Sequence, residues 1–336
     1  MTIRNKQLGA ALWANEPVPR LAAHAQLAEH IGLESLWVID SQLLCRELTV
    51  TLTACLMATQ KLTMATGVTQ PMTRHASVVA SMLATLDEFA RGRVTLGVGT
   101  GFSSLRTIGQ RAARIAEVET FIDTLRKLLR QQMAPFNGVD AKLIWLDRRI
   151  DVPVVVATSG PRMTREASRF ADGVILHHGI SDDLLSRALG WLREGMAQLG
   201  QPKTCEVSVW VPYCLADNPD TARAAVRPRV AGALVQADAT QFIGAEREAI
   251  ERLQASYDVA HHASAGPAHA ALVPDSLVDR YAVAGSAEQV RAGLIRLLDN
   301  PAIDRVILNP QMAGAGAPPM HAVLRDLEGK VLPYLG

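Results

Sequence analysis

The sequence has few features of a disulfide-stabilised, zinc-binding or nucleic-acid-binding protein. It contains only four cysteines in 336 residues, Cys45, Cys55, Cys205 and Cys214. They lie far apart and form no C-x-x-C pair, so neither a disulfide framework nor a zinc site is indicated, and a reducing cytoplasm is expected. Neither charge sign is in excess, since 34 Lys and Arg residues face 33 Asp and Glu residues. The sequence therefore provides no field that would attract nucleic acid or an anionic membrane.

Long apolar runs are also missing. The N-terminal stretch MTIRNKQLGAALWANE has no apolar core that ends in a small-residue cleavage site, and no segment approaches the ~18 consecutive apolar residues of a membrane helix. Aromatic residues make up only 4% of the chain, whereas hydrophobic residues make up 49%. This composition predicts a soluble, cytoplasmic protein with a large aliphatic core, whose partners are small molecules or proteins.

Short β-type runs alternate with segments of helical periodicity along the chain. Eight such runs end in small or polar residues: QLGAALWA, ESLWVID, KLTMATGVT, RVTLGVG, VPVVVATSG, DGVILHHG, CEVSVWVPYCL and DRVILNP. Eight strands alternating with helices predict a single (β/α)8 TIM-barrel domain over residues 1–336, with an open doubly wound sheet as the alternative. In the barrel, the chemistry lies at the C-terminal ends of the strands.

Two stretches interrupt this alternation. Residues 134–151 are predicted to form a turn and a short hairpin outside the barrel. The second excursion covers residues 216–285, where 219–257 has a helical pattern and 258–285, which contains Gly266, Pro267 and Pro274, has the composition of a surface loop. The barrel then resumes, because Ser286 and Gln289 predict a capping box at the start of the next helix.

Two loops have the composition of a phosphate site. In RVTLGVGTGFSSLR, the glycines at 97, 99 and 101 give G-x-G-x-G, which lacks the spacing of the dinucleotide fingerprint. In TSGPRM, Pro161 suits the first turn of a helix and Gly160 allows a ligand close to the backbone. Helix amides and the helix dipole would attract a phosphate there, beside the loop of Thr100 and Gly101. An ordinary strand-to-helix turn is the alternative for either loop alone.

Two longer blocks resemble a known family. MATGVTQPMTRHASVVASMLATLDEFARGRVTLGVGTG and VPVVVATSGPRMTREASRFADGVIL are similar to the bacterial-luciferase-like superfamily of flavin and deazaflavin oxidoreductases. The similarity covers roughly residues 8–310 and is greatest to members that depend on coenzyme F420, such as methylenetetrahydromethanopterin reductase and F420-dependent glucose-6-phosphate dehydrogenase. It implies a (β/α)8 barrel that binds coenzyme F420, with FMN as the alternative cofactor.

The resemblance also implies a set of cofactor contacts. The coenzyme ring is expected against a bulge at the end of the third barrel strand, with a non-prolyl cis peptide at Gly67-Val68, followed by Thr69. Asp40 is expected beside the ring, although it could equally cap a helix. Phosphate contacts are expected from Thr100, Gly101, Ser159, Gly160, Pro161 and Arg162.

The substrate side departs from those relatives. Ser41 stands where F420-dependent sugar-phosphate dehydrogenases have a histidine, and Phe102 stands where an acidic residue is expected. The obvious general acid and base are therefore missing, and Phe102 suggests an apolar pocket. His177 and His178 follow the sixth barrel strand and are the candidate catalytic residues, with His177 also in the substrate pocket. The alternative is a structural role, in which one histidine points outward and the other caps a backbone carbonyl. His261 and His262 are interpreted as residues of a solvated loop, and no metal site is predicted.

Three functions remain open at this point. The favoured one is hydride transfer between reduced F420 and an unidentified small organic substrate. The alternatives are an FMN-dependent monooxygenase that uses O2 and is supplied by a separate flavin reductase, and a non-catalytic barrel subunit. The resemblance also implies a homodimer.

Overall fold

The computed structural model of the chain describes residues 7–200, 204–262, 266–311 and 318–335. Its strands are β1 Gln7–Leu12, β2 Ser35–Val38, β3 Thr63–Thr66, β4 Val94–Val98, β5 Ala134–Phe136, β6 Val139–Ala141, β7 Val154–Thr158, β8 Gly173–Leu176, β9 Glu206–Leu215, β10 Val283–Gly285 and β11 Arg305–Pro310. Eight of them form a parallel sheet in the order β11, β1, β2, β3, β4, β7, β8 and β9. The sheet closes because β9 pairs with both β8 and β11. This confirms the barrel and rules out the open sheet.

Helices cover the outside of the barrel. They are α1 Val18–His30, α2 Leu48–Ala58, α3 Ala76–Phe89, α4 Ser103–Arg106, α5 Ile115–Leu129, α6 Pro161–Phe170, α7 Asp182–Ala197, α8 Pro219–Leu234, α9 Gly244–Ser256, α10 Asp275–Tyr281, α11 Ala287–Asp299 and α12 Met320–Asp326. Local sequence explains several starts, since α6 and α8 have proline in the first turn and Ser286 with Gln289 forms the predicted capping box of α11. Among the described residues, no helix is long and apolar enough to span a membrane.

The interior of the barrel contains a small apolar cluster of its own. Because side chains alternate along a strand, every second residue points inward. Leu36 and Val38 of β2 belong to the large core, whereas Trp37 between them is 1% exposed and packs inside the barrel. The inner cluster consists of Trp37, Ala65, Val155, Ile175 and Ile307. Trp37 thus fills the barrel directly below the C-terminal ends of the strands.

The first excursion has the predicted form. β5 and β6 make an antiparallel hairpin in which Ala134 faces Ala141. Asn137 and Gly138 at its turn have positive φ angles, as tight hairpins require.

The helical pattern predicted over 219–257 is confirmed, and it is divided between two helices. α8 ends at Leu234 and α9 begins at Gly244, whose φ is +54°. Asp238 interrupts the helix, since its side chain accepts a hydrogen bond from the amide of Thr240 and starts a separate 3-10 turn.

The surface loop predicted over 258–285 is wrong from residue 267 onward, and residues 263–265 of it lie outside the described residues. A 3-10 helix covers Ala268–Leu272, α10 follows, and β10 pairs in parallel with the end of β9. Pro267 and Pro274 caused the error, because each stands immediately before a helix and starts it. Side chains of α8, α9 and α10, including Val226, Ile250 and Val278, form a second apolar core.

An arginine joins the strands at the face of the barrel opposite their C-terminal ends. Arg305 is 6% exposed and begins β11. Its Nε donates a hydrogen bond of 3.1 Å to Glu34, and its other nitrogens bond to Glu206 and Gln7. These residues precede or begin β1, β2 and β9, so one guanidinium joins the four strands where the sheet closes.

We expect Arg305→Met to lower the free energy of unfolding by about 3 kcal/mol, because two carboxylates lose their buried partner. Urea denaturation measures this change. Arg325→Met is the control, since Arg325 forms an exposed ion pair with Glu328, and it should cost less than about 1 kcal/mol. Equal effects of the two substitutions would show that the Arg305 cluster does not hold the barrel closed.

Candidate functional site

A cavity opens at the C-terminal ends of the barrel strands, and its empty space, including the part that is open to solvent, is about 1050 Å³. We call it the mouth cavity. Most of the predicted site residues line it: Asp40, Ser41, Gly67, Val68, Thr100, Gly101, Phe102, Ser159 and His177. They follow five different strands, so the barrel brings together residues as far apart in the sequence as Asp40 and His177.

Five predicted residues lie beside the mouth cavity instead of in its wall. Gly160, Pro161 and Arg162 form the start of α6, directly after Ser159. Thr69 is buried, and its hydroxyl donates a hydrogen bond of 2.7 Å to Asp40. His178 lies behind the wall, where its Nε2 is 3.2 Å from the Thr158 hydroxyl and 3.1 Å from the Thr164 hydroxyl.

The end of β3 forms the bulge that the sequence predicted. The peptide bond between Gly67 and Val68 is cis. The amide of Gly67 donates to the carbonyl of Val38 at 2.7 Å, and the Thr66 hydroxyl donates to the carbonyl of Gly97 at 2.6 Å. A Cβ at position 97 would lie only 2.1 Å from the Thr66 carbonyl oxygen, so β4 approaches the bulge this closely only because residue 97 is glycine. Val68 is thereby held at the wall of the mouth cavity.

Asp40 is the centre of a buried polar cluster. Its carboxylate accepts hydrogen bonds from Arg74 at 2.8 and 3.1 Å, in addition to the bond from Thr69. The helix-cap alternative for Asp40 is wrong, since Glu47 caps α2 by accepting a bond of 2.9 Å from the Val50 amide. Arg74 also donates to Glu47. Burial alone would lower the pKa of Arg74, but the two carboxylates outweigh it and raise that pKa.

Three histidines at or near the mouth cavity are kept neutral by desolvation, although only His178 is fully buried and His177 and His262 are partly exposed. Desolvation lowers the pKa of His177 to about 4, that of His178 to about 3 and that of His262 to about 3. At neutral pH each imidazole therefore acts as a hydrogen-bond donor and acceptor without charge.

The prediction for His262 is wrong. It was expected in a solvated loop, but it lines the mouth cavity, bonds to the Tyr257 hydroxyl at 2.5 Å and packs edge-on against Phe102. Apolar packing of the excursion over the barrel removes it from water. His261 is exposed, as expected.

Several residues of the wall were not predicted. Trp13 follows β1, Asn309 lies in β11, and Arg229 lies on α8 above them. The Arg229 guanidinium stacks on the Trp13 ring at 4.1 Å. One sequence signal could have indicated Arg229, since it lies on the same helical face as Val226 and Val230, which are buried. In the described ranges, no group of three or more His, Cys, Asp or Glu residues could hold a metal ion.

Comparison with known proteins gives a consistent result. The model of the family described as luciferase-like monooxygenase matches residues 3–305. The chain is 28% identical to 5,10-methylenetetrahydromethanopterin reductase of Methanolobus tindarius over 298 residues, which is 85% of this chain and 88% of the relative. It is 33% identical to F420-dependent glucose-6-phosphate dehydrogenase of Beutenbergia cavernae over 249 residues, 68% of this chain and 73% of the relative.

A solved structure shows the same fold. The coenzyme F420-dependent tetrahydromethanopterin reductase of Methanopyrus kandleri superposes with a TM-score of 0.77 over 99% of this chain and 100% of that chain. Its sequence identity is 19%, so this likeness concerns the barrel architecture alone.

The buried histidines make stability depend on pH. An unfolded histidine has a pKa of about 6.5, so the unfolded chain binds more protons than the folded one between pH 6.5 and the lower folded pKa values. We expect the free energy of unfolding to fall as the pH is lowered from about 6.5 towards 4, by up to about 1.4 kcal/mol per pH unit for each buried histidine. Urea denaturation at several pH values measures this slope.

His178→Gln should make that slope shallower, because glutamine can bond to the same two threonine hydroxyls without titrating. His261→Gln is the matched control at an exposed position and should keep the wild-type slope. The same slope in all three proteins would contradict the role of burial.

Proposed function

Because the chain belongs to the luciferase-like monooxygenase family, whose model matches residues 3–305, we propose that it is an F420-dependent oxidoreductase. In this proposal it transfers hydride between reduced coenzyme F420 and a small organic substrate in the mouth cavity. The observation that carries it is the convergence of two phosphate-type loops, after β4 and β7, beside the bulge at Gly67 and Val68. Relatives whose names include F420-dependent glucose-6-phosphate dehydrogenase favour this coenzyme.

The loops fit a phosphate. β4 and β7 are neighbours in the barrel, so the loop of Thr100 and Gly101 lies next to Ser159. α6 has no side-chain cap at Gly160, and its first backbone bond runs from the Thr164 amide to the Gly160 carbonyl. The first-turn amides are thus available to an anion, and the helix dipole favours it. A Cβ at Gly160 would meet no atom within 4 Å, which leaves space at the helix start.

The wall between bulge and loops suits a flat ring. Val68 presents an apolar surface, and Phe102 and Ile175 add further apolar lining. When bound, F420 supplies a two-electron hydride carrier. The contribution of this chain is to fix the ring and the substrate and to exclude water. We assign the ring contact to Gly67, Val68 and Asp40, with Thr69 holding the carboxylate of Asp40 in place.

The substrate side is assigned to Ser41, Phe102 and His177. The Ser41 hydroxyl is 3.0 Å from that of Ser103, which fixes its position. A neutral His177 donates or accepts one hydrogen bond to an oxygen of the substrate, and at neutral pH it does not act as an imidazolium acid. His178 acts as a positioning residue, since its ring lies behind the wall.

FMN-dependent oxygenation is the second candidate. The family description names a monooxygenase, and Phe102 occupies the place where an acidic group would serve a dehydrogenase. In that case a separate flavin reductase would supply reduced FMN. A non-catalytic barrel subunit is the third candidate, and the two phosphate-type loops favour it least.

Titration with F420 and with FMN separates these functions. We expect saturable quenching of tryptophan fluorescence by F420 and no oxygen consumption by the reduced complex. Saturable FMN binding with oxygen consumption would support the monooxygenase, and binding of neither coenzyme would support the non-catalytic subunit.

Gly160→Asp tests the phosphate site. The carboxylate would stand at the start of α6, so we expect F420 affinity to fall about tenfold or more, on the order of 1.4 kcal/mol, by repulsion between like charges. Gly329→Asp adds the same charge at an exposed glycine with equal free space and should leave the affinity unchanged. Unchanged affinity in Gly160→Asp would contradict the assignment of the α6 loop.

We also propose that two copies of the chain pair through α2 and α3. These helices expose four large apolar side chains, Val50, Met57, Val78 and Phe89, of which Met57 is 71% and Val78 59% exposed. A groove between the helices is lined by Val78, Met82 and Phe89 together with small polar residues. Exposed apolar surface of this kind marks an interaction site more often than a free surface.

Val78→Arg should shift the protein from dimer to monomer, because a charge would be buried in the interface. Analytical ultracentrifugation measures the mass. Val139→Arg, at a position of the β5–β6 hairpin that is 63% exposed, should leave the dimer intact. A monomeric wild-type protein, or dimers in both variants, would refute this interface.

A further inference from the structure

Arg229 carries a buried positive charge that no carboxylate of the described residues neutralises. It is 7% exposed, and within the described ranges its Nε and Nη2 atoms have no hydrogen-bond partner. The titratable groups that act on it most are Tyr257 and Cys45, and both are neutral at pH 7 because burial raises their pKa values. Burial lowers the pKa of Arg229 to about 10, so the guanidinium still carries its proton at pH 7.

Neighbouring arginines show that this arrangement is unusual for α8. Arg223 is paired with Asp279 at 2.9 Å, and Arg227 is paired with Asp275 at 2.6 Å. An unpaired buried charge is costly, and stacking on Trp13 offsets only part of that cost. A fold that keeps such a charge without a partner indicates that the partner comes from outside the chain.

The surroundings of Arg229 complete a polar subsite within the mouth cavity. Trp13 covers one face of the guanidinium at 4.1 Å, and its own indole N–H is buried with no partner among the residues that the structure describes. The same is true of the Oδ1 atom of Asn309. All three residues line the mouth cavity. Asp40, the acidic residue in that wall, is already bonded to Arg74.

The position of this subsite separates it from the phosphate-type loops. Trp13 follows β1 and Asn309 lies in β11, and these two strands are adjacent. In the eight-stranded order, β4 and β7 lie diametrically opposite the pair β11 and β1. A coenzyme phosphate at the loops after β4 and β7 would therefore leave the Arg229 subsite free for another molecule.

We propose that Arg229, stacked on Trp13, binds the carboxylate of the substrate, so that the substrate class is a small carboxylic acid with an apolar body. The role as substrate rests on the proposed function, whereas the carboxylate site itself does not. Nε and Nη2 form one edge of the guanidinium, which matches the two oxygens of a carboxylate. Both nitrogens are covered by neighbouring atoms, so a small side-chain rotation accompanies binding.

A carboxylate fits this subsite better than a phosphate. One guanidinium neutralises a single negative charge, and within the described part of the mouth cavity lining Arg229 is the one arginine or lysine. A phosphate dianion would keep an uncompensated charge among Trp13, Phe102 and Trp210, which is costly. The same three rings provide the apolar surface for the remainder of the acid.

Thermal denaturation of the full chain with benzoate, benzamide and phenylphosphonate tests this proposal. We expect benzoate to raise Tm with a saturable concentration dependence. Benzamide should bind more weakly than benzoate by a factor of about ten or more, since it lacks the charge. Phenylphosphonate should bind more weakly than benzoate. Arg229→Met should weaken benzoate binding by about tenfold or more, and Arg229→Lys should weaken it less than Arg229→Met does.

Arg229→Met gives a second readout that a structural role would not produce. The ligand-free variant should have a higher Tm than the wild type, because an unpaired buried charge is removed. Arg223→Met, on the same helix, is the matched control and should keep benzoate binding while gaining no stability. A lower Tm in Arg229→Met would show that the guanidinium supports the fold and would overturn the proposal.

Three further results would overturn it. They are equal binding of benzoate and benzamide, tighter binding of phenylphosphonate, and no binding of any probe with or without saturating F420. F420 affinity is measured separately by fluorescence in the same proteins. If F420 and FMN fail to bind while benzoate still binds through Arg229, the proposed function fails and the carboxylate site stands.

Discussion

The site depends on close packing at the top of the barrel interior. Trp37 fills the space beneath the bulge, and a Cβ at position 67 would lie 3.0 Å from the Cβ of Trp37. On the other side, the backbone of β4 reaches the Thr66 carbonyl only because residue 97 has no side chain. The indole and the two glycines therefore fix where the chain turns after β3. Val68 and the hydrogen-bonded pair Thr69 and Asp40 receive their positions from that turn.

The charge of the mouth cavity depends on which of its ionisable side chains are neutralised by other residues of the chain. Asp40 is bonded to Arg74, and burial keeps His177 and His262 uncharged. Only the guanidinium of Arg229 remains uncompensated among the described residues that line the cavity. The proposed phosphate site after β4 and β7 would instead use backbone amides. In the two proposals, anion sites of different kind face each other across one apolar space.

The features that could be predicted from the sequence are those encoded by local residue patterns. Period-two and helical repeats determined the eight barrel strands, and the capping box at Ser286 was read from two residues. Family resemblance added the cis peptide at Gly67-Val68. Contacts between residues far apart in the sequence could not be predicted from local pattern. Arg74 and Asp40 are 34 residues apart, and the burial of His262 depends on how the second excursion packs over the barrel. Prolines at 267 and 274 were misread because the same residue both ends and begins regular structure.

β10 ties the second excursion to the barrel. Val283–Gly285 pairs with Tyr213–Leu215, so the excursion leaves and rejoins the barrel at the end of the same strand, β9. Insertions or deletions between the two ends of the excursion would change the part of the cavity wall that lies above the strands, while the strands keep their register. A change of length in the excursion can therefore alter which molecules the cavity admits without moving the barrel strands.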